Sequence, residues 1–211
     1  RLAGAPVDDP ACIKARDFLA AHGGALCAPS WAKFWLAVLG VHEWEGIAPV
    51  PPEMWMLPAW FPIHPGRFWC HCRMVYLPMC YLYGRRFAYN AAADPVTASL
   101  RKELYPGQAS YADINWGRYV HSVADIDNYS PIRWFMSLLQ DVLGIYERCG
   151  PWGWLRAASL RFVEEYLHSE DEVTNYLTIG PVSKALNMLC AWVVAGGEAD
   201  PAGASESRTF Q

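Results

Sequence analysis

Residues 130–146 read SPIRWFMSLLQDVLGIY, and their apolar side chains recur three or four positions apart. Such spacing places apolar side chains on one face of an α-helix. Ser130 followed by Pro131 is typical of a helix start. We therefore predict an amphipathic helix from this start through Tyr146, whose apolar face comprises Ile132, Phe135, Leu138, Leu139, Val142, Ile145 and Tyr146.

Similar start and stop signals predict further helices at 10–21, 31–39, 68–83, 95–104, 155–167 and 181–194. Pro78 predicts a kink or an early end in the third of these. Six prolines between residues 47 and 65 predict a mostly extended, irregular segment around 47–66. No segment alternates apolar and polar residues long enough for a strand. The sequence therefore predicts an all-α fold, with short antiparallel helices of a helical repeat or an α/α toroid.

Composition narrows the class of protein further. The chain has 211 residues, a net charge of −4 and 53% hydrophobic residues, so it can bury a large core and has no basic excess for nucleic acid. Its seven cysteines are irregularly spaced, which favours reduced thiols in an intracellular compartment. The most apolar run, 74–83, is too short for a membrane span, which needs about 20 residues. Contact with one face of a membrane remains compatible with this composition.

One predicted helix carries residues suited to chemistry. On a helix, Trp69, Cys72 and Tyr76 share a face, and His71 borders it. A largely dry pocket lined in this way would stabilise a cation through aromatic faces, and a neutral histidine could accept a proton. This combination suits carbocation chemistry on an apolar substrate. An aromatic stripe at helical spacing is equally typical of an ordinary core.

Other polar residues give weaker signals. The sequence Cys70-His71-Cys72 lacks the second ligand pair that zinc sites need, so we predict no metal there. The remaining candidate histidines are interpreted as surface or structural residues, and the acidic run 170–172 as a solvated turn at a helix start. These histidines are His42, His64, His121 and His168.

Several runs, taken together, resemble a known family. They read PSWAKFWLAVLGV at 29–41, WEG at 44–46, PPEMW at 51–55, HPGRFWCHCR at 64–73, VYLPM at 75–79, LRKELY at 100–105 and IGPVSK at 179–184. In this order they resemble the 2,3-oxidosqualene cyclases over roughly residues 23–192. The resemblance implies a terpenoid cyclase-like α/α toroid, of which residues 1–195 form part. We expect 196–211, rich in Gly, Ala, Ser and Glu, to be a poorly ordered tail.

The resemblance also implies an activity. Family members convert (3S)-2,3-oxidosqualene into a cyclic triterpene or sterol precursor such as cycloartenol or lanosterol, by carbocation cyclisation and with no metal or organic cofactor. The implied partners are 2,3-oxidosqualene, the rest of the cyclase chain and one leaflet of an intracellular membrane, either endoplasmic reticulum or lipid droplet. No nucleic-acid partner is implied.

Individual positions match family residues. Trp69 and His71 match a Trp-x-His pair near the D-ring end of the substrate, where the histidine stabilises the late cation or assists the last deprotonation. Cys72 and Tyr76 match the constriction between the substrate channel and the cavity. The positions that match the cavity wall are Trp31, Pro181 and Val182.

The sequence departs from the family in two respects. No Asp-Cys pair of the catalytic-acid motif occurs, and no Gln is followed by Trp. We therefore predict that the chain is part of a longer cyclase and is inactive by itself. Three alternatives stay open: a bacterial-type squalene cyclase, a noncatalytic α/α-toroid module that binds an apolar ligand or a partner, and a helical domain with an aromatic core.

Overall fold

The computed structural model describes residues 1–61, 63–89, 94–108 and 110–196. Within these ranges the chain forms helices and 3-10 turns, with no β-strand, so the predicted all-α class is confirmed. The helices are α1 (Pro10–Ala21), α2 (Ser30–Val38), α3 (Cys70–Gly84), α4 (Pro95–Leu104), α5 (Trp134–Arg148), α6 (Gly153–Val173) and α7 (Pro181–Val194).

Most predicted bounds agree with the structure to within a few residues, and two differ for physical reasons. Helix α3 continues through Pro78 to Gly84, so of the two effects considered for Pro78, an early end does not occur. Residues 77–83 are all buried, and this packing outweighs the one backbone hydrogen bond that proline removes. Helix α6 extends to Val173, and Asp171 in its last turns is 5% exposed. The interpretation of 170–172 as a solvated turn at a helix start is therefore wrong.

The Pro-rich segment between α2 and α3 is irregular, as predicted. It contains short 3-10 turns at Pro52–Met56 and Pro65–Arg67. The predicted tail lies outside the described residues except for Gly196. The division of the chain at residue 195 therefore stays a prediction.

The chain divides into two compact units, the first formed by residues 1–48 and 88–140. Phe34 of α2 is fully buried there, and its ring lies 5.6 Å from that of Trp44. A second cluster of this unit contains Ala25, Leu26, Tyr105, Ile114 and Trp116.

Two buried bases stabilise this first unit. The Nζ of Lys33 donates to the backbone oxygens of Tyr119 and Ser122, at 2.5 and 2.8 Å. Burial lowers the pKa of Lys33 to about 8. His42 is 2% exposed, and its ring centroid lies 4.6 Å from that of Trp116. Burial lowers the pKa of His42 to about 4, so this histidine is a neutral structural residue at pH 7.

Neutral burial of His42 predicts a pH dependence of folding. Its pKa is about 4 in the folded chain against an ordinary value of 6.5, so acid protonates the unfolded chain first. The contribution of neutral His42 to the free energy of unfolding is complete above pH 6.5. It decreases as the pH falls towards 4, by up to about 3 kcal/mol. Urea unfolding of the chain at pH 7.5 and pH 5 should show a smaller pH effect for His42→Gln than for wild type. The exposed His168, replaced by Gln, is the control, and an equal pH effect in all three proteins would contradict the assignment.

The second unit comprises residues 49–87 and 141–211. Its core is formed by the second half of α3 together with buried side chains of α6 and α7, among them Val163 and Leu186. Gly84 at the end of α3 permits a close approach, because a Cβ there would lie 2.7 Å from the Pro52 ring and 3.0 Å from Leu160. The Pro52–Met56 turn thus packs directly on α3 and α6.

A buried ionic network joins the same elements. Nε of Arg156 on α6 donates to Glu53 of the Pro52–Met56 turn at 2.6 Å, and its Nη2 donates to Glu147 on α5. Arg86 completes the network with a 2.8 Å bond to the other oxygen of Glu147. The Tyr146 hydroxyl donates to Glu53 at 3.2 Å. The Arg156, Glu53 and Glu147 side chains are at most 12% exposed, so their charges are balanced away from water.

Helix α5 differs from the sequence prediction in start and in packing. It begins at Trp134 rather than at Pro131, and none of its apolar residues is buried. The apolar face predicted for this helix includes Leu138, Val142 and Ile145, which are 56%, 54% and 52% exposed. The described residues therefore leave this apolar stripe largely uncovered.

Candidate functional site

The candidate site is built around the start of α3. A 3-10 turn at Pro65–Arg67 precedes it, and His64 Nδ1 accepts a hydrogen bond from Gly66 N–H at 2.9 Å. A Cβ at position 66 would lie 2.7 Å from this nitrogen, so the turn requires glycine. The backbone then extends through Trp69, which precedes the first helical residue, Cys70. His64 is thus a structural residue, as interpreted from the sequence.

Trp69 and His71 are brought together at this helix start. Their ring centroids lie 4.2 Å apart, with 33° between the ring planes. The Cys70 thiol lies 3.4 Å from Nδ1 of His71. A tryptophan face and an imidazole in contact can share the stabilisation of a nearby cation. The sequence placed His71 at the border of the face that carries Trp69, and the structure places the two rings side by side.

Cys72 and Tyr76 lie one turn apart along α3. Cys72 is exposed and Tyr76 is 40% exposed, and the Tyr76 ring centroid lies 6.0 Å from that of Phe68. Partial burial, with the nearby Cys72 and Cys80 thiols, raises the pKa of Tyr76. Its hydroxyl therefore stays protonated at neutral pH and can donate a hydrogen bond.

The remaining predicted residues lie at other helix starts. Pro181 and Val182 open α7 and are exposed, with Val182 at 43%. Trp31 is the second residue of α2 and is 41% exposed; its ring centroid lies 5.8 Å from that of Trp35. Trp31 belongs to the first unit and the other candidates to the second. Each of these residues therefore presents free surface.

The predicted largely dry pocket is not formed by the described residues. Trp69 is 67% exposed, and His71 and Cys72 are exposed as well. The reading of the aromatic stripe as ordinary core is likewise wrong for Trp69. The buried part of α3 lies further along the helix, at 77–83, and holds the exposed start in place. The start of α3 therefore presents an exposed aromatic surface rather than a closed pocket.

The structure also reveals a cavity that sequence patterns missed. This cavity of about 500 Å³ opens in the second unit, with Asn187 and Asp171 in its lining. Asn187 is an amide within the mostly apolar helix α7, which was the one available signal. Among the described residues, no cluster of three His, Cys, Asp or Glu side chains is arranged to hold a metal. Nor does any described helix combine the length and apolarity needed to cross a bilayer.

The class of protein follows from these features and from a domain match. An all-α chain with aromatic side chains and a histidine exposed at helix starts agrees with the family model for the squalene-hopene cyclase N-terminal domain, which matches residues 1–208. The chain is 43% identical over 196 residues to a lanosterol synthase of Mus musculus and 43% identical over 196 residues to one of Homo sapiens. It is 42% identical over 192 residues to a cycloartenol synthase of Dictyostelium discoideum.

The chain belongs to the oxidosqualene cyclase family. The fold class of this family is the all-α toroid of the terpenoid cyclases. The matches cover 93%, 91% and 93% of this chain but only 26%, 27% and 26% of the mouse, Dictyostelium and human proteins. It thus spans about a quarter of the length of the curated relatives. The resemblance read from the sequence is confirmed at the level of the family.

Proposed function

We propose that these residues form part of the active-site wall of a longer chain that converts (3S)-2,3-oxidosqualene into a cyclic triterpene, either cycloartenol or lanosterol. The carrying observation is the Trp69–His71 ring contact at 4.2 Å, exposed at the start of α3. The names of the relatives, lanosterol synthase and cycloartenol synthase, support this substrate. Their nearly equal identities of 43% and 42% favour neither product.

The chemistry follows from the residues at this wall. A cation next to the Trp69 face is stabilised by the ring quadrupole, by about 2 kcal/mol or more once water is excluded. The imidazole of His71 can stabilise the same charge or accept the last proton. Cys72 and Tyr76 would border the passage by which the substrate enters. Trp31, Pro181 and Val182 would contribute further wall.

The initiating step needs a group that these residues do not supply. Opening the epoxide requires a strong proton donor, and the family's Asp-Cys acid motif does not occur in the sequence. We therefore expect the 211-residue chain alone to be inactive. The rest of the cyclase chain is its required partner.

Product analysis of the longer chain tests this function. The coding sequence that contains these residues is expressed in full, supplied with (3S)-2,3-oxidosqualene, and its products are identified by mass spectrometry. We expect one predominant tetracyclic product from the full chain and none from residues 1–211. Unchanged oxidosqualene after incubation with a folded full chain would support the noncatalytic module instead.

We further propose that the full protein lies on one leaflet of an intracellular membrane, either endoplasmic reticulum or lipid droplet. The uncovered stripe of α5, with Leu138 and Val142 more than half exposed, supports this proposal. Leu138→Asp with Val142→Asp should reduce sedimentation of the full chain with phosphatidylcholine vesicles. Leu138→Val with Val142→Leu is the matched apolar control. Equal sedimentation of both variants would contradict a role for α5, and fluorescence imaging of the tagged full chain tests the compartment.

A further inference from the structure

The start of α3 holds the imidazole of His71 by two separate contacts. The ring lies against Trp69, with 4.2 Å between the ring centroids and 33° between the ring planes. At the ring edge, Nδ1 lies 3.4 Å from the thiol sulfur of Cys70. The first contact restrains the face of the imidazole and the second restrains its edge. Together they limit the rotation of the ring about both side-chain bonds.

The contact between Cys70 and His71 is unusual for a helix. These are the first and second residues of α3, and neighbouring positions on a helix do not face each other. Trp69 precedes the helix with an extended backbone, at φ −55° and ψ 144°. Helical side chains lean towards the helix N-terminus, and here the imidazole turns towards the two residues that precede it.

The two nitrogens of the ring differ in their surroundings. Nδ1 faces the Cys70 sulfur, whereas Nε2 has no hydrogen-bond partner among the described residues. The His71 side chain is exposed, so Nε2 is accessible to a substrate. Cys72, the thiol on the other side of His71, is exposed and makes no such contact with the ring within the described part of the chain.

The position of the ring hydrogen decides what Nε2 can do. An uncharged imidazole carries one N–H and one bare nitrogen, and the partner of one nitrogen sets the state of the other. If Nδ1–H donates to the sulfur, Nε2 is bare and can accept a proton. If the thiol S–H donates to Nδ1 instead, Nε2 carries a hydrogen and accepts none. A base for the last step of a cyclisation needs the first arrangement.

We propose that Cys70 is a positioning residue, whose sulfur accepts a hydrogen bond from Nδ1–H of His71 and leaves Nε2 bare to take the last proton of the cyclisation. The proposal rests on the proposed function, in which His71 lies beside the late cation. In that step the electron pair of a C–H bond next to the cationic carbon becomes the new C=C bond. The released proton bonds to the lone pair of Nε2. The imidazolium keeps its Nδ1–H on the polarisable sulfur, and a charged donor strengthens that hydrogen bond.

Two replacements of Cys70 in the full-length cyclase test this role by kinetics. Cys70→Ala removes the acceptor, and kcat for (3S)-2,3-oxidosqualene should fall about three- to tenfold with KM unchanged, as for loss of one hydrogen bond. The share of products that lose their proton at another carbon should rise. Cys70→Ser should bring the rate and the product ratio back towards wild type, because a hydroxyl oxygen also accepts a hydrogen bond.

An exposed thiol elsewhere in the chain gives the matched control. Cys149 follows α5 and lies outside the candidate site, so Cys149→Ala should leave the rate and the products unchanged. Wild-type rate and products in Cys70→Ala would overturn the proposal. A Cys70→Ser variant no better than Cys70→Ala would overturn it as well, since packing rather than hydrogen bonding would then explain the loss.

The tautomer of His71 gives a readout that does not depend on turnover. The full-length cyclase, isotopically labelled at its histidine nitrogens, is studied by solid-state NMR at about pH 9, where ordinary imidazoles are uncharged. The signals of His71 are those absent from His71→Gln. We expect a bare Nε2 in wild type and in Cys70→Ser, and a mixture of both tautomers in Cys70→Ala. A protonated Nε2 in wild type would overturn the proposal, because the thiol would then be the donor.

The two measurements separate failure of this proposal from failure of the proposed function. A full chain that leaves oxidosqualene unchanged, yet has a bare Nε2 that depends on Cys70, supports the hydrogen bond and overturns the cyclase function. A full chain that forms a cyclic product with a protonated Nε2 supports the function and overturns the role of Cys70.

Discussion

Replacing His71 by alanine in the full-length cyclase is expected to lower kcat for oxidosqualene by about 10²–10⁴-fold. The imidazole contacts Trp69 with 4.2 Å between ring centroids. On the proposed function, its loss removes both a proton acceptor and one stabilising partner of the late cation. We also expect a changed product mixture, because a cation that lacks its base loses a proton elsewhere. Rates and products are measured together by mass spectrometry of the extracted lipids.

A matched histidine separates catalysis from a general effect on the protein. His168 lies on α6 of the same unit, and its side chain is 70% exposed, so His168→Ala should leave rate and products unchanged. Circular dichroism of both variants checks that the helices remain. Full activity of His71→Ala with an unaltered product would show that this histidine has no part in the reaction.

Replacing Arg156 by methionine is expected to lower the free energy of unfolding by about 3–5 kcal/mol. Arg156 donates to Glu53 and Glu147, whose side chains are 10% and 6% exposed. The substitution leaves two carboxylates near each other and away from water, with Arg86 as the remaining partner of Glu147. Urea unfolding followed by circular dichroism measures the effect.

Two further variants show whether the network explains this loss. Arg161→Met on the exposed surface of the same helix should change stability by less than about 0.5 kcal/mol. Adding Glu53→Gln and Glu147→Gln to Arg156→Met should recover part of the lost stability, because no buried carboxylate is then left without Arg156. A loss in Arg156→Met no greater than that in Arg161→Met would contradict a stabilising role for the buried pairs.

The fold class was predictable because helix periodicity and caps are local properties. The starts of α4 and α7 agree with their Asp-Pro and Gly-Pro signals, since proline at the first helical position needs no hydrogen-bond donor. The sequence predicted a helix over 68–83 but left open whether α3 would end early at Pro78. That outcome depends on the burial of 77–83 by other segments of the chain, which no local pattern contains.

The candidate site also has features that the sequence predicted and features that it did not. Trp69 and His71 are two residues apart, so their proximity follows from local geometry and from the motif that contains them. The exposure of this pair was not predicted, because a helical stripe of aromatic residues has the same spacing whether it lines a cavity wall or fills a core. The cavity beside Asn187 was missed for a related reason, since it forms only where α6 and α7 pack on α3.

By itself, the sequence determined the helical class, most helix boundaries and membership of the cyclase family, because these depend on short-range spacing and ordered motifs. Only the tertiary structure decided which polar groups are buried. Glu53 and Arg156 are 103 positions apart, yet their 2.6 Å contact balances charge inside the second unit. His42 was interpreted from sequence as a surface or structural residue and Asp171 as part of a solvated turn, yet they are 2% and 5% exposed. Burial depends on what distant segments place over a side chain, and that information appears only when the chain has folded.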